Sequence, residues 1–368
     1  MTPLEQMIRE RIRQQGPLTF RDFMATALYD PEHGYYTTPG NRIGRAGDFY
    51  TASSVSNHFG RLLARQVRAA WQSLDQPVDF TVVECGAGTG HLAADLLTEL
   101  QTSEPSCFRQ LRYVICESSA AMRAEQAARL AGISAQVAWS ELEALADRPI
   151  TGLLLSNELV DALPVHRLTY RDGQCLEAFV TVSNKRLQLI WETPTQPEAF
   201  ADYMTKGALA LTQDTQYEVA LDAVAWLEKA AAALARGYLV TIDYGGTGEY
   251  LSGRPSGSLR CFSHHQLSDD VFANIGRQDI TADVNFSALI NYGMAFGLQT
   301  VQLTRQTDYL IKLGLLDMLQ ETTLMDDTPE SLKSRLALKH FLVPGGFGDR
   351  FKVLVQVKGE NLPAPLPR

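Results

Sequence analysis

The stretch VVECGAGTG (82–90) constrains the fold more than any other part of this chain. A β-rich run, FTVVEC (80–85), passes through glycines at 86, 88 and 90 into HLAADLLTEL, where Leu92, Leu96, Leu97 and Leu100 recur at helical spacing. Glycines at a strand-to-helix junction let the backbone turn tightly and admit a ligand with no Cβ in its way. The alternation then continues through LRYVICE (111–117), helical SSAAMRAEQAARLAG (118–132), SAQVAW (134–139), TGLLLSNE (151–158) and GYLVTIDYG (237–245). Strands alternating with helices predict an α/β fold built on a doubly wound parallel sheet.

Around that core the pattern changes. Leu4, Met7, Ile8 and Ile12 have helical spacing, Gly16-Pro17 ends the segment, and Thr19 is placed to cap a second helix running to Leu28. Residues 29–51 hold four tyrosines among Gly and Pro and read as a packed loop with a binding role, and residues 58–74 return to helical periodicity. Residues 165–192 carry two turn signals, Asp172-Gly173 and Asn184-Lys185, between alternating β-branched and aromatic runs, predicting an antiparallel meander. A helix over 217–236 with Gly237 as its stop leads back to the sheet. Further helices are expected near 285–297 and over 308–341, and a last strand at RFKVLVQVKG. The implied division is a helical N-terminal region with a cofactor lip (1–75), a core (76–165 and 237–358), an inserted β-meander plus helix (166–236) and a tail (359–368).

The 368 residues carry a formal charge of −9, which argues against a duplex-wrapping nucleic-acid binder because phosphate neutralisation supplies most non-specific affinity. Five cysteines at 85, 107, 116, 175 and 261 form no C-x-x-C pair and suit neither a zinc site nor a disulfide framework. The expected compartment is a reducing cytoplasm. The first sixteen residues show no continuous apolar segment, and no run approaches the ~18 apolar residues of a membrane span.

The glycine spacing is G-x-G-x-G, with His91 where a dinucleotide fingerprint would place its third glycine. Glu84, two residues before Gly86, would repel a pyrophosphate but suits a cation. S-adenosyl-L-methionine carries a sulfonium and an ammonium and no phosphate, so Glu84, Gly86, Gly88 and Gly90 favour a methyltransferase over a dehydrogenase. Glu117, beside Ser118, ends the next strand, where an acid can accept both ribose hydroxyls of an adenosine. Trp139-Ser140-Glu141-Leu142 falls where the adenine ring would lie. At the end of the fourth strand, LLLSNELVDALPVH (153–166) places Asn157, Glu158 and Asp161 on the ligand-binding edge of such a sheet. Two carboxylates there can clamp a guanidinium through paired charge-assisted bonds. The same residues also read as the cap and solvated first turn of a short helix. His264-His265 lacks a third ligand spaced for zinc, so no metal site is expected.

VVECGAGTG, NELVDALPVH, IDYGG (242–246), GSLRCFSHH (257–265), DITADVNF (279–286) and GDRFKVLVQ (348–356) occur in this order after YDPEHGYY and GDFYT. Together they resemble the MidA-like family, that of the mitochondrial complex I assembly-factor methyltransferase, over nearly the whole chain. The resemblance implies a class I S-adenosylmethionine-dependent fold and protein-arginine N-methylation giving symmetric dimethylarginine. It also implies an acceptor among the subunits of the respiratory NADH dehydrogenase. By position it implies cofactor contacts at Gly86, Gly88 and Glu117, a reaction centre at Asn157, Glu158 and Asp161, and a cofactor lip at Gly47, Asp48 and Thr51. It puts Asp279, Asp283 and His265 on the substrate side. The chain departs from the family at Ser53-Ser54, at Ala87 and Thr89, and at Asn285, where Pro-Glu, Pro with a basic residue, and Asp are usual.

The reading is therefore an S-adenosylmethionine-dependent methyltransferase acting on a protein side chain, arginine foremost. A small-molecule or nucleic-acid methyltransferase and a non-catalytic adenosine-binding assembly factor stay open as rivals. The meander reads equally as a homodimer surface or a substrate clamp.

Overall fold

The computed structural model describes residues 1–38, 57–133, 135–263, 266–324, 328–343, 345–360 and 362–363. Helix α1 (Pro3–Gln15) is capped by the Thr2 side chain, and α2 (Phe20–Tyr29) by that of Thr19, after a two-residue strand β1 (Leu18–Thr19). Helix α3 (His58–Ser73) precedes the alternating core of β2 (Phe80–Cys85), α4 (His91–Ser103), α5 (Pro105–Gln110), β3 (Leu111–Cys116), α6 (Ala120–Leu130), β4 (Gln136–Trp139), α7 (Leu142–Ala146) and β5 (Ile150–Asn157). The interruption follows as β6 (His166–Arg171), β7 (Gln174–Ser183), β8 (Arg186–Glu192), α8 (Pro197–Lys206), β9 (Gln216–Val219) and α9 (Leu221–Ala233), before β10 (Leu234–Gly246) rejoins the sheet. Next come α10 (Gly248–Ser252), β11 (Arg260–Ser263), β12 (Gln266–Ser268), β13 (Asp279–Thr281), β14 (Val284–Asn285), α11 (Phe286–Ala295) and β15 (Gln299–Arg305). The chain ends through α12 (Gln306–Lys312), α13 (Leu315–Leu324), α14 (Pro329–His340), α15 (Phe347–Arg350) and β16 (Phe351–Lys358).

The central sheet runs β15-β16-β10-β5-β2-β3-β4, with β10, β5, β2, β3 and β4 parallel and β16 antiparallel to both its neighbours. All six residues of β2 are buried, as expected for a strand covered on both faces. One apolar cluster packs α3, α4 and the C-terminal helices on one face, and a second packs α7, α8, α9 and α11 on the other. The strand order reverses between β2 and β5, which puts the crevice for a ligand outside their carboxyl ends.

The meander forms as its turns predict, with Asp172, Gly173, Asn184 and Lys185 all at positive φ in two tight hairpins. It does not stand alone. Leu18 and Thr19 pair with Val180 and Phe179, and α1 and α2 share an apolar cluster with β7 and β8. Helix α3 instead packs on the central sheet, tied to α4 by the Arg61–Glu99 ion pair at 2.8 Å.

Three sequence expectations need correction. Gln216–Val219 is a strand paired with β6, so the helix starts only at Leu221. Gly237 does not stop that helix, which ends at Ala233; Gly237 lies inside β10, where a Cβ would meet the Gly152 carbonyl oxygen at 1.9 Å. The helix expected over 308–341 is three helices, broken first at Gly314 (φ +95°), where a Cβ would meet Arg65 Nη1 at 2.0 Å.

Candidate active site

The glycine turn leaves β2 with Gly86, Gly88 and Gly90 at φ of 74°, 51° and 80°. L side chains rarely adopt these angles, and a Cβ on Gly86 would lie 2.8 Å from Leu159 Cδ1. The turn is pinned to the neighbouring strand by the Gly86 N–H donating to the Cys116 carbonyl at 3.1 Å, and it aims the amino end of α4 at an open cavity of about 1720 Å³. Glu84 lies just beneath, fully buried, and accepts from the Tyr113 hydroxyl at 2.8 Å. Burial raises its carboxyl to about 7, so near neutrality it holds only part of the charge that the sequence assigned to it.

At the end of β3, Glu117 takes the Ser119 N–H on Oε1 at 2.9 Å and Gln126 Nε2 on its other oxygen at 3.2 Å. Burial raises its pKa against those bonds. Gln126, buried on α6, also donates to the Gly88 carbonyl at 2.7 Å and accepts from Trp139 Nε1 at 2.8 Å. One amide thus ties the glycine turn, the acidic strand end and β4 together. Sequence reasoning missed it. The available signal was a glutamine four residues before the buried Leu130, on the apolar face of the helix. Ser118 and Leu142 complete this side of the cavity.

At the end of β5, Asn157 donates from Nδ2 to Glu158 Oε1 at 3.1 Å, while its Oδ1 is buried with no hydrogen-bond partner. Glu158 sits at φ 52°, an uncommon conformation for a long side chain, and leads into a 3₁₀ turn over Val160–Ala162. Asp161 on that turn is buried, and desolvation together with Asp243, Asp279 and Glu158 pushes its carboxyl well above the ordinary range. Two tyrosines of the segment that the sequence marked for a binding role close over it. Tyr29 donates to the Ala162 carbonyl at 3.0 Å and Tyr36 to Asp279 Oδ1 at 2.8 Å, with their rings stacked 5.5 Å apart.

Asp279 therefore joins Glu158 and Asp161 along the cavity. Asp283 lines it too, but its carboxylate is held in ion pairs by Arg254 and by Arg260, the latter at 3.0 Å, so it is committed to those guanidinium groups. Gly47, Asp48, Thr51 and His265 lie outside the described residues. Among the described residues no group of three or more His, Cys, Asp or Glu side chains is placed to hold a metal.

These residues fit an adenosyl sulfonium donor. The unsatisfied Asn157 Oδ1 is a buried acceptor suited to an ammonium or sulfonium, Glu117 faces the cavity as a ribose acceptor would, and the glycine turn leaves room for close backbone approach. Residues 62–304 match the model of a family described as "Putative S-adenosyl-L-methionine-dependent methyltransferase". The chain belongs to this family. It is also 27% identical to the human protein arginine methyltransferase NDUFAF7, mitochondrial, across 98% of this chain and 85% of that protein. The Drosophila melanogaster NDUFAF7 homolog is 27% identical, across 77% and 68%. A Burkholderia thailandensis protein crystallised with S-adenosyl-homocysteine superposes with a TM-score of 0.87 at 29% identity, covering 98% of this chain and 93% of that one. A second structure from the same organism gives 0.83 at 30% identity.

The sheet is thus that of a class I methyltransferase, and S-adenosyl-L-methionine is the cofactor of this family member. The expected cytoplasmic location is overturned, because the animal relatives are named mitochondrial. No helix among the described residues is long and apolar enough to cross a membrane.

Proposed function

We propose that this methyltransferase acts on arginine side chains of a protein, giving symmetric dimethylarginine. The observation that carries the reading is the cluster of Glu158, Asp161 and Asp279 under the stacked Tyr29 and Tyr36, beside Asn157. An acidic and aromatic wall recognises a planar cation: carboxylates take paired N–H bonds and aromatic faces attract the delocalised charge. The arginine methyltransferase names of the animal relatives support the same reading.

In this scheme Glu117 and Ser118 hold the adenosine, Glu84 lies under the glycine turn, and Asn157 Oδ1 turns to the cationic end of the donor. When bound, S-adenosyl-L-methionine supplies an activated methyl whose sulfur leaves with the bonding electrons. Glu158 and Asp161 hold one guanidinium nitrogen in line with that methyl, so orientation and exclusion of water carry most of the rate. The nitrogen forms the new N–CH3 bond and sheds its proton through a carboxylate or water. Arrival of the guanidinium favours ionised Asp161, because a neighbouring cation offsets the burial that holds its proton. Gly47, Asp48 and Thr51 we assign to the cofactor lip and His265, with Asp279, to the acceptor side. Asp283 serves that side by fixing Arg254 and Arg260.

The acceptor we place among the subunits of the respiratory NADH dehydrogenase, following the family resemblance. The test is mass spectrometry of that enzyme's subunits after incubation with this chain and methyl-labelled S-adenosyl-L-methionine. Label on an arginine nitrogen supports the proposal; label confined to other side chains, or to small molecules, overturns it.

A further inference from the structure

The Asp243 carboxylate is fully buried at the end of β10 and has no part in the steps above. Backbone donors surround it. Oδ2 accepts the N–H groups of Val160 at 2.9 Å and Asp161 at 3.2 Å, Oδ1 accepts that of Tyr244 at 2.9 Å, and the Leu159 backbone N–H bonds to it as well. Burying a carboxylate is costly unless its oxygens are fully hydrogen-bonded, and the amino end of a helical turn supplies the N–H groups that lack partners within the turn. The preceding residue of β10 fastens the chain just before that turn, since the Ile242 carbonyl accepts the Glu158 N–H at 3.0 Å and holds Glu158 at its positive φ.

We propose that Asp243 is a positioning residue for methyl transfer: it fastens the Leu159–Ala162 turn to the sheet so that Glu158 and Asp161 face the acceptor side of the cavity. The inference rests on the reading that those two carboxyls hold the acceptor, but not on which side chain is methylated. A neutral cap would satisfy fewer donors, and the turn would then move independently of the strand that carries it. The charged and titratable groups around Asp161 are Glu158 on its own turn, Asp243 and Tyr244 from β10, Asp279 from β13, and the Tyr29 and Tyr36 hydroxyls from α2 and the loop after it. Around Asp243 they are Asp161, the adjacent Tyr244, and Lys352, its register partner on β16, whose Nζ donates to the Asp349 carbonyl.

The test compares the full-length chain with Asp243→Asn, using methyl-tritiated S-adenosyl-L-methionine and the protein pool of a cell lysate as acceptor probe. The variant should keep the wild-type KM for the donor and lose about 100-fold in kcat, the cost of a small misplacement of reacting groups. Burial raises the Asp243 carboxyl to about 7. Above neutral pH, where it is ionised, the rate–pH profile of the variant should show Asp161 ionising at lower pH than in the wild type, because Asp161 then lacks a neighbouring negative charge. A variant with wild-type kcat and an unmoved profile overturns the proposal. Mass spectrometry of the labelled proteins reads the acceptor side chain separately, so failure of the arginine assignment is a different result. A second measurement needs no variant and no acceptor. Amide hydrogen exchange of the wild-type chain with S-adenosylhomocysteine should show Val160 and Asp161 protected like the β10 amides, and exchange as fast as in an unstructured loop overturns the role.

Discussion

The Tyr36 hydroxyl donates to Asp279 Oδ1 at 2.8 Å, joining the loop after α2 to β13 across 243 positions of sequence. This bond brings the N-terminal tyrosines over the carboxyls of the core. Tyr36→Phe removes it while keeping the ring stacked on Tyr29. Loss of a hydrogen bond to a carboxylate should lower stability by about 1.5–3 kcal/mol. Methyl transfer should fall while affinity for S-adenosylhomocysteine stays at the wild-type value. Urea unfolding, transfer assays and calorimetry check the three parts, and loss of cofactor affinity with transfer intact would contradict the placement.

Glu84 gives a pH prediction whose sign follows from burial. Its folded pKa of about 7 exceeds the ordinary 4.5, so its contribution to stability is fully present below 4.5 and is lost as pH rises through 7. At pH 8 the loss is about 3 kcal/mol for a shift of this size. Glu84→Gln keeps an acceptor for Tyr113 and has no proton to lose. The variant should therefore gain on the wild type between pH 5 and pH 7 in urea unfolding and hold that gain at pH 8. Parallel stability curves would show that the carboxyl is not desolvated.

Glu158→Gln should bind S-adenosylhomocysteine as the wild type does and transfer methyl about 100-fold more slowly or worse, the scale of a lost acid–base or clamping carboxylate. Single-turnover transfer paired with calorimetry separates the two effects. A wild-type rate in this variant would remove Glu158 from the chemistry.

Gln126→Leu should strip the half-buried Trp139 indole N–H and Gly88 carbonyl of their partner, lowering stability by about 0.5–1.5 kcal/mol for each bond lost. Because the same amide braces Glu117, cofactor affinity should fall together with the melting temperature. Thermal melts with and without S-adenosylhomocysteine read both, and full affinity in a destabilised variant would make Gln126 purely structural.

What the sequence reveals here is what local chemistry dictates. The glycine turn, the strand-helix alternation and the Asn184-Lys185 hairpin are each set by residues within a few positions of one another, and each forms as expected. Gly237 misled because a glycine after a helix usually ends it, whereas this one is required by close strand contact with Gly152, 85 positions earlier. The candidate site divides the same way. Asn157, Glu158 and Asp161 are legible because they follow an apolar strand directly. The segment holding Tyr29 and Tyr36 is legible as a binding loop, but the partners of those tyrosines, of Gln126 and of Asp243 are not, since only the tertiary fold brings them near. Asp283 has the right type and place, yet two arginines from the preceding loop and strand occupy its oxygens.

The central claim is that the crevice between β2 and β5 holds the sulfonium donor against the carboxyls of the β5 turn. A crystal structure of the chain grown with S-adenosylhomocysteine tests it most directly. The predicted density has the ribose hydroxyls on Glu117, the glycine turn under the amino-acid portion, and the sulfur facing Glu158 and Asp161. A crevice empty of ligand, or a ligand whose sulfur points away from the β5 turn, would contradict the account.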